Sequence, residues 1–86
     1  MIIIYIDYRG ARSVETKRFN DFDESYFDKL SEIENDVRII DSVKIFRHVK
    51  SAIEGCSVFA QTAQETLVNT TNAEIAVRRA RALASA

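Results

Sequence analysis

Glu24, Asp28, Glu32 and Asp36 recur every four residues. On a helix this spacing stacks four carboxylates on one face, about 6 Å apart. Like charges at that spacing destabilise a helix by roughly 0.2–0.5 kcal/mol per pair. The row therefore reads either as a solvated polar face or as a docking face for a basic surface. Asp21, Asp23 and Glu24 fall where a helix N-terminus welcomes negative charge. Glu32, Glu34 and Asp36 fall at the wrong end for that effect and carry more of the docking argument, with Asp41 just beyond them. A nucleic-acid-binding groove on another protein is one such basic surface. Duplex DNA carries one charge per about 1.7 Å of axis. Mimicry by a row with one charge per about 6 Å would need Asp21, Glu34, Asp41 or a second subunit to thicken it.

Arg78, Arg79 and Arg81 form the opposite cluster. They either complement the dipole of a last helical turn or make a basic site that contacts phosphate or acids. With Arg9, Arg12, Lys17 and Arg18 they define a second reading, a small nucleic-acid-binding oligomer. His48 stands beside Arg47 and Lys50 with no recognisable acid–base partner, and reads as structural. Cys56 falls on an apolar stripe and reads as a core thiol rather than a nucleophile. Tyr8 and Tyr26 read as core residues or interface anchors. Gly10 and Gly55 lie too far apart to make a phosphate-cradling loop. One Cys and one His exclude a disulfide framework and a Cys/His zinc site within one chain. The reading is a non-enzyme that takes no cofactor and no metal.

The elements that position these residues follow from periodicity. Residues 2–8 are rich in Ile and Tyr, which suits a strand apolar on both faces, with Ile2, Ile4 and Ile6 on one and Ile3 and Tyr5 on the other. Gly10 provides the turn, and residues 13–19 form a charged edge strand. A lone hairpin is marginal in water. The neighbour that the first strand needs is expected within residues 37–46, giving a small antiparallel sheet of ββαβ order. A helical reading of that window competes with it. Asp23 caps a helix over 23–35 whose inner face is Tyr26, Phe27, Leu30 and Ile33. A second helix is expected over roughly 47–68, on the stripe Val49, Ala52, Ile53, Cys56, Phe59, Ala60, Ala63 and Leu67. At 22 residues it would be about 33 Å long, span the molecule, and pack closely on another helix or on a second subunit. Asn72 caps a short last helix over about 73–84. The fold class is α+β, in one domain over 1–86: sheet plus acidic helix in 1–46, helical in 47–86.

The 86 residues carry 12 Lys+Arg against 13 Asp+Glu, a net charge of −1, with 47% hydrophobic residues and no proline. The length allows one small domain, and the apolar fraction excludes intrinsic disorder. The near-neutral total hides three blocks: +2 over residues 1–19, −6 over 20–42 and +3 over 43–86. Such asymmetry bears on partners rather than on fold. The apolar run at the start is far too short for a signal sequence or a membrane span. A free cysteine without a signal segment fits a cytoplasmic setting.

Shortness, the acidic 21–41 block and the absence of catalytic motifs together resemble small phage inhibitors of host nucleic-acid machines, such as anti-CRISPR and anti-restriction proteins. The resemblance implies a non-catalytic protein-binding module. Its acidic helix (Glu24, Asp28, Glu32, Glu34 and Asp36, with Asp41) would occupy a Lys/Arg-lined groove of a partner protein and block nucleic acid. Direct nucleic-acid binding and a structural assembly subunit built on the long helix are the alternatives.

Overall fold

The computed structural model describes residues 1–50 and 62–85. Six elements follow one another: β1 (Ile2–Tyr8), β2 (Glu15–Phe19), α1 (Glu24–Glu34), β3 (Ile40–Lys50), β4 (Thr62–Thr70) and α2 (Ala73–Ala84). The class is α+β. The four strands form one antiparallel sheet in the order β2-β1-β3-β4. That order is unchanged when β1 is exchanged with β3 and β2 with β4. The chain is thus two ββα units about a pseudo-two-fold between β1 and β3, a repeat of topology without a repeat of sequence.

Period-2 alternation sorts β1. Ile2, Ile4, Ile6 and Tyr8 join a core with Phe19, Val43, Ile45 and Val68, and the two helices cover that side with Tyr26, Leu30, Ile33, Ala76, Val77 and Ala80. Gly10 turns the first hairpin at a φ of 82°, a left-handed conformation that a side chain would strain. The Asp23 carboxylate accepts from the Tyr26 N–H at 3.1 Å, and the Asn72 side chain accepts from the Ile75 N–H at 3.1 Å. Both helices therefore start at the expected caps.

The long helix over 47–68 is not what forms. Residues 47–50 continue β3 and 62–68 belong to β4, while Cys56, Gly55 and most of the stripe lie outside the described residues. The sheet thus has a fourth strand, the order is ββαββα rather than a three-stranded ββαβ, and the 47–86 half is not helical throughout. The expected strand within 37–46 is present and runs on to Lys50. The physical reason is pairing. Arg47 lies opposite Ile2, the His48 N–H donates to the Met1 carbonyl, and Val49 lies opposite Ala63. β4 also carries β-branched Thr62, Thr66, Val68 and Thr70. A bulge between Ile45 and Phe46 leaves Leu67 unopposed, which breaks the alternation that would mark β4 as a strand. With that helix gone, the argument for an oligomer built through it has no footing among the described residues. No helix in the described residues is long and apolar enough to cross a membrane.

Candidate functional site

The acidic row is largely engaged by the chain's own bases. Glu32 meets the Lys29 ammonium at 3.3 Å, and Lys29 is itself buried and also held by Glu15 at 3.1 Å. Glu34 receives Arg81 at 2.6 Å, and Asp41 receives Arg9 at 2.9 Å. Asp36 lies past the end of α1. Its side chain, only 8% exposed, takes two bonds from the Arg38 guanidinium and one from the Tyr8 hydroxyl. The Arg38 bonds hold the Asp36 carboxyl well below the usual carboxylate range. Burial, then the bond to Asp36, pushes the Tyr8 phenol up. The Arg38 guanidinium also stacks 3.8 Å from the centre of the Tyr8 ring.

Four of the six proposed docking acids thus sit in ion pairs, and only Glu24 and Asp28 lack one among the described residues. Phe27, expected on the inner face of α1, is 39% exposed and lies between these two acids in sequence. The second basic cluster is divided as well. Arg81 is bound to Glu34, while Arg78 and Arg79 are exposed on α2.

The helices cover one side of the sheet, and the pairing register defines the other. One row across it reads Arg18, Ile3, Phe46, Thr66 from β2 to β4. The next reads Thr16, Tyr5, Lys44, Asn69, and a third pairs Asp7 with Ser42. None of these residues belongs to the helix-covered core. Tyr5 and Phe46, on the two central strands, meet edge-to-face with ring centres 5.5 Å apart and planes at 70°. Tyr5, Asp7, Val14, Thr16, Ser42, Lys44, Phe46 and Gln64 line a shallow depression of about 420 Å³. Arg18 and Lys44 are exposed, and neither has an ion-pair partner among the described residues. This face therefore offers two aromatic rings at its centre and an unneutralised cation in each of two adjacent rows.

His48 lies on the same face opposite Gln64, and its Nε2 is buried with no hydrogen-bond partner among the described residues. Among the described residues no group of three His, Cys, Asp or Glu side chains converges to hold a metal ion.

Sequence reasoning placed Tyr5 on the face opposite Ile2, Ile4 and Ile6 but assigned that face no function. The signal for the rest was the alternation Ser42-Val43-Lys44-Ile45-Phe46, which puts Lys44 and Phe46 together on one side. Comparison of the chain with protein-family models, with curated proteins and with solved structures finds no match in any of the three.

Proposed function

We propose that the chain is a non-catalytic binding module whose sheet face opposite α1 and α2 takes single-stranded nucleic acid. One observation carries this reading: Tyr5 and Phe46 occupy the centre of that face, with Arg18 and Lys44 beside them in adjacent rows. Single strands bind where aromatic side chains stack the bases and cations follow the backbone, and stacking contributes roughly 1–3 kcal/mol per base. A flat sheet supplies aromatics at strand spacing, and unpaired bases have exposed π-faces that a duplex hides. The test is fluorescence anisotropy of a labelled single-stranded oligonucleotide titrated with the protein at rising salt. Binding at low salt that weakens as salt rises, and a weaker response from the matching duplex, support the reading. No binding at low salt sinks it.

A second reading keeps the protein-docking role, in which a partner with a basic surface is occupied by α1. The half-exposed Phe27, flanked in sequence by the unpaired Glu24 and Asp28, favours it. An aromatic anchor with a charged rim is a common hot-spot arrangement. In this form the docking face shrinks from six acids to Glu24, Asp28 and Phe27, with Glu32 at its rim. The phage-inhibitor mechanism would then act through that smaller patch.

A further inference from the structure

Asp7 is the one acid on the sheet face among the described residues, and it does not fit a surface that only attracts phosphate. It is half-buried, lines the depression beside Tyr5, and lies opposite Ser42. Four of the eight acids of the −6 block find a cation in the fold. Asp7 finds neither a cation nor a hydrogen-bond donor among the described side chains. The chain also breaks register immediately after it: Asp7 pairs with Ser42 and Tyr8 with Ile40, which leaves Asp41 as the extra residue. Bulges of this kind re-aim side chains next to functional sites. Here the bulge lies on β3, at Asp41, opposite the end of β1; ordinary alternation along β1 puts Asp7 on the depression and turns Tyr8 into the core, where it reaches Asp36.

A half-buried carboxylate with open acceptor sites calls for N–H donors. Two adjacent donors match its two oxygens best. Among the nucleobases, guanine presents that pair at N1 and N2, with the O6 acceptor next to them. Lys44 lies one row from Asp7 on the neighbouring strand and lines the same depression, so an ammonium donor is at hand for O6. Thymine and uracil place a single N–H between two carbonyl oxygens, which a carboxylate repels.

We infer that the depression is a guanine-reading subsite, in which the Asp7 carboxylate accepts from guanine N1 and N2, Lys44 donates to O6, and the base packs against Tyr5 and Phe46. This inference rests on the single-strand reading of the sheet face and assigns it a base preference.

The experiment compares an oligothymidylate with the same strand carrying one central guanine, in direct anisotropy titrations at fixed salt. A third strand carries inosine, which lacks the N2 amine, in place of guanine. The guanine strand is expected to bind about tenfold tighter than the all-thymine strand, in line with one bidentate base contact. Inosine is expected to fall between them. Asp7→Asn is expected to remove the preference while binding of the all-thymine strand holds or strengthens, because a negative charge has gone. Circular dichroism of the variant, unchanged, shows that the sheet is intact. Equal affinity of the wild-type protein for the guanine and thymine strands overturns the inference and leaves the single-strand reading standing. A preference that survives Asp7→Asn overturns the role of Asp7. Failure of all three strands to bind removes the underlying reading itself.

Discussion

The Tyr26 hydroxyl donates to the Ala80 carbonyl at 2.6 Å, from the first turn of α1 to the middle of α2. This buried bond joins the two ββα units on the helix side of the sheet. The ring also meets Phe19, Phe22 and Phe27 edge-to-face at 5.8, 5.0 and 5.4 Å. Tyr26→Phe keeps the ring contacts and removes only the hydroxyl. A net hydrogen bond contributes about 1 kcal/mol, so the variant is expected to lose about 1–2 kcal/mol in urea denaturation with an unchanged slope. A slope that changes as well would show that the bond also governs how compactly the two units dock.

Alkaline stability follows from the same residue. Burial pushes the Tyr26 phenol up to about 12, against an ordinary value of about 10. The folded chain therefore holds a proton that the unfolded chain releases earlier. The stability tied to this group is intact below pH about 10 and declines as pH rises toward 12. Tyr8 is raised as well and acts in the same direction. Thermal melts from pH 9 to 12 are expected to show a falling midpoint, and Tyr26→Phe should flatten that fall.

At low pH the sign reverses. Asp36 and Glu15 are both held below the ordinary carboxylate range, Asp36 chiefly by the Arg38 bonds and Glu15 chiefly by the Lys29 bond. Their stabilisation is complete above pH about 4–5 and is lost as pH falls through their lowered values. The midpoint is expected to drop steeply on acidification, and Asp36→Asn should give a protein that is less stable at pH 7 yet less sensitive to acid. An acid profile that Asp36→Asn leaves unaltered would place the transition on other groups.

How much of this was legible in the sequence depends on whether the signal was local. The β1 alternation, the Gly10 turn and the Asp23 and Asn72 caps are decided by neighbours a few residues away, and all were read correctly. β4 was not. Its Ala and Leu spacing suits a helix until β3 is present to pair with it, and the bulge at Leu67 hides its period. The acidic row was legible as spacing, and its local pairs, Lys29 with Glu32 and Arg38 with Asp36, lay within three residues; the neutralisation of Asp41 and Glu34 was not legible, because Arg9 and Arg81 are delivered by the fold. The sheet face was harder still. Tyr5 and Phe46 meet only because the β1–β3 register sets Ile3 opposite Phe46 and Tyr5 opposite Lys44, and register is a tertiary property.

The docking reading of α1 is tested by reversing the two acids, Glu24 and Asp28, that have no ion-pair partner among the described residues. Glu24→Lys with Asp28→Lys is expected to abolish capture of a partner through its basic surface while circular dichroism changes little and the urea midpoint falls only modestly, because Glu24 sits in the first turn of α1. Reversal of Glu34, by contrast, breaks the bond to Arg81 and confounds binding with packing between α1 and α2. Retention of a partner by the double variant would leave Glu24 and Asp28 as solvated surface.

The sheet face makes separable demands on its cations and its rings. On an all-thymine strand, which offers Lys44 no guanine O6, Arg18→Ala and Lys44→Ala each remove one phosphate contact. Each is expected to reduce the slope of log K against log salt by about 0.7, the increment per phosphate on a single strand. Phe46→Ala removes a stacking surface without changing charge. It should weaken oligonucleotide binding by roughly tenfold or more while the salt slope stays as it was. Tyr5→Phe keeps the ring and is expected to bind as the wild type does; Tyr5→Ala is not. Anisotropy titrations at four salt concentrations separate the two classes. If all these variants lose affinity in proportion, with slopes shifted alike, the face acts through net charge alone and the aromatic pair has only a packing role.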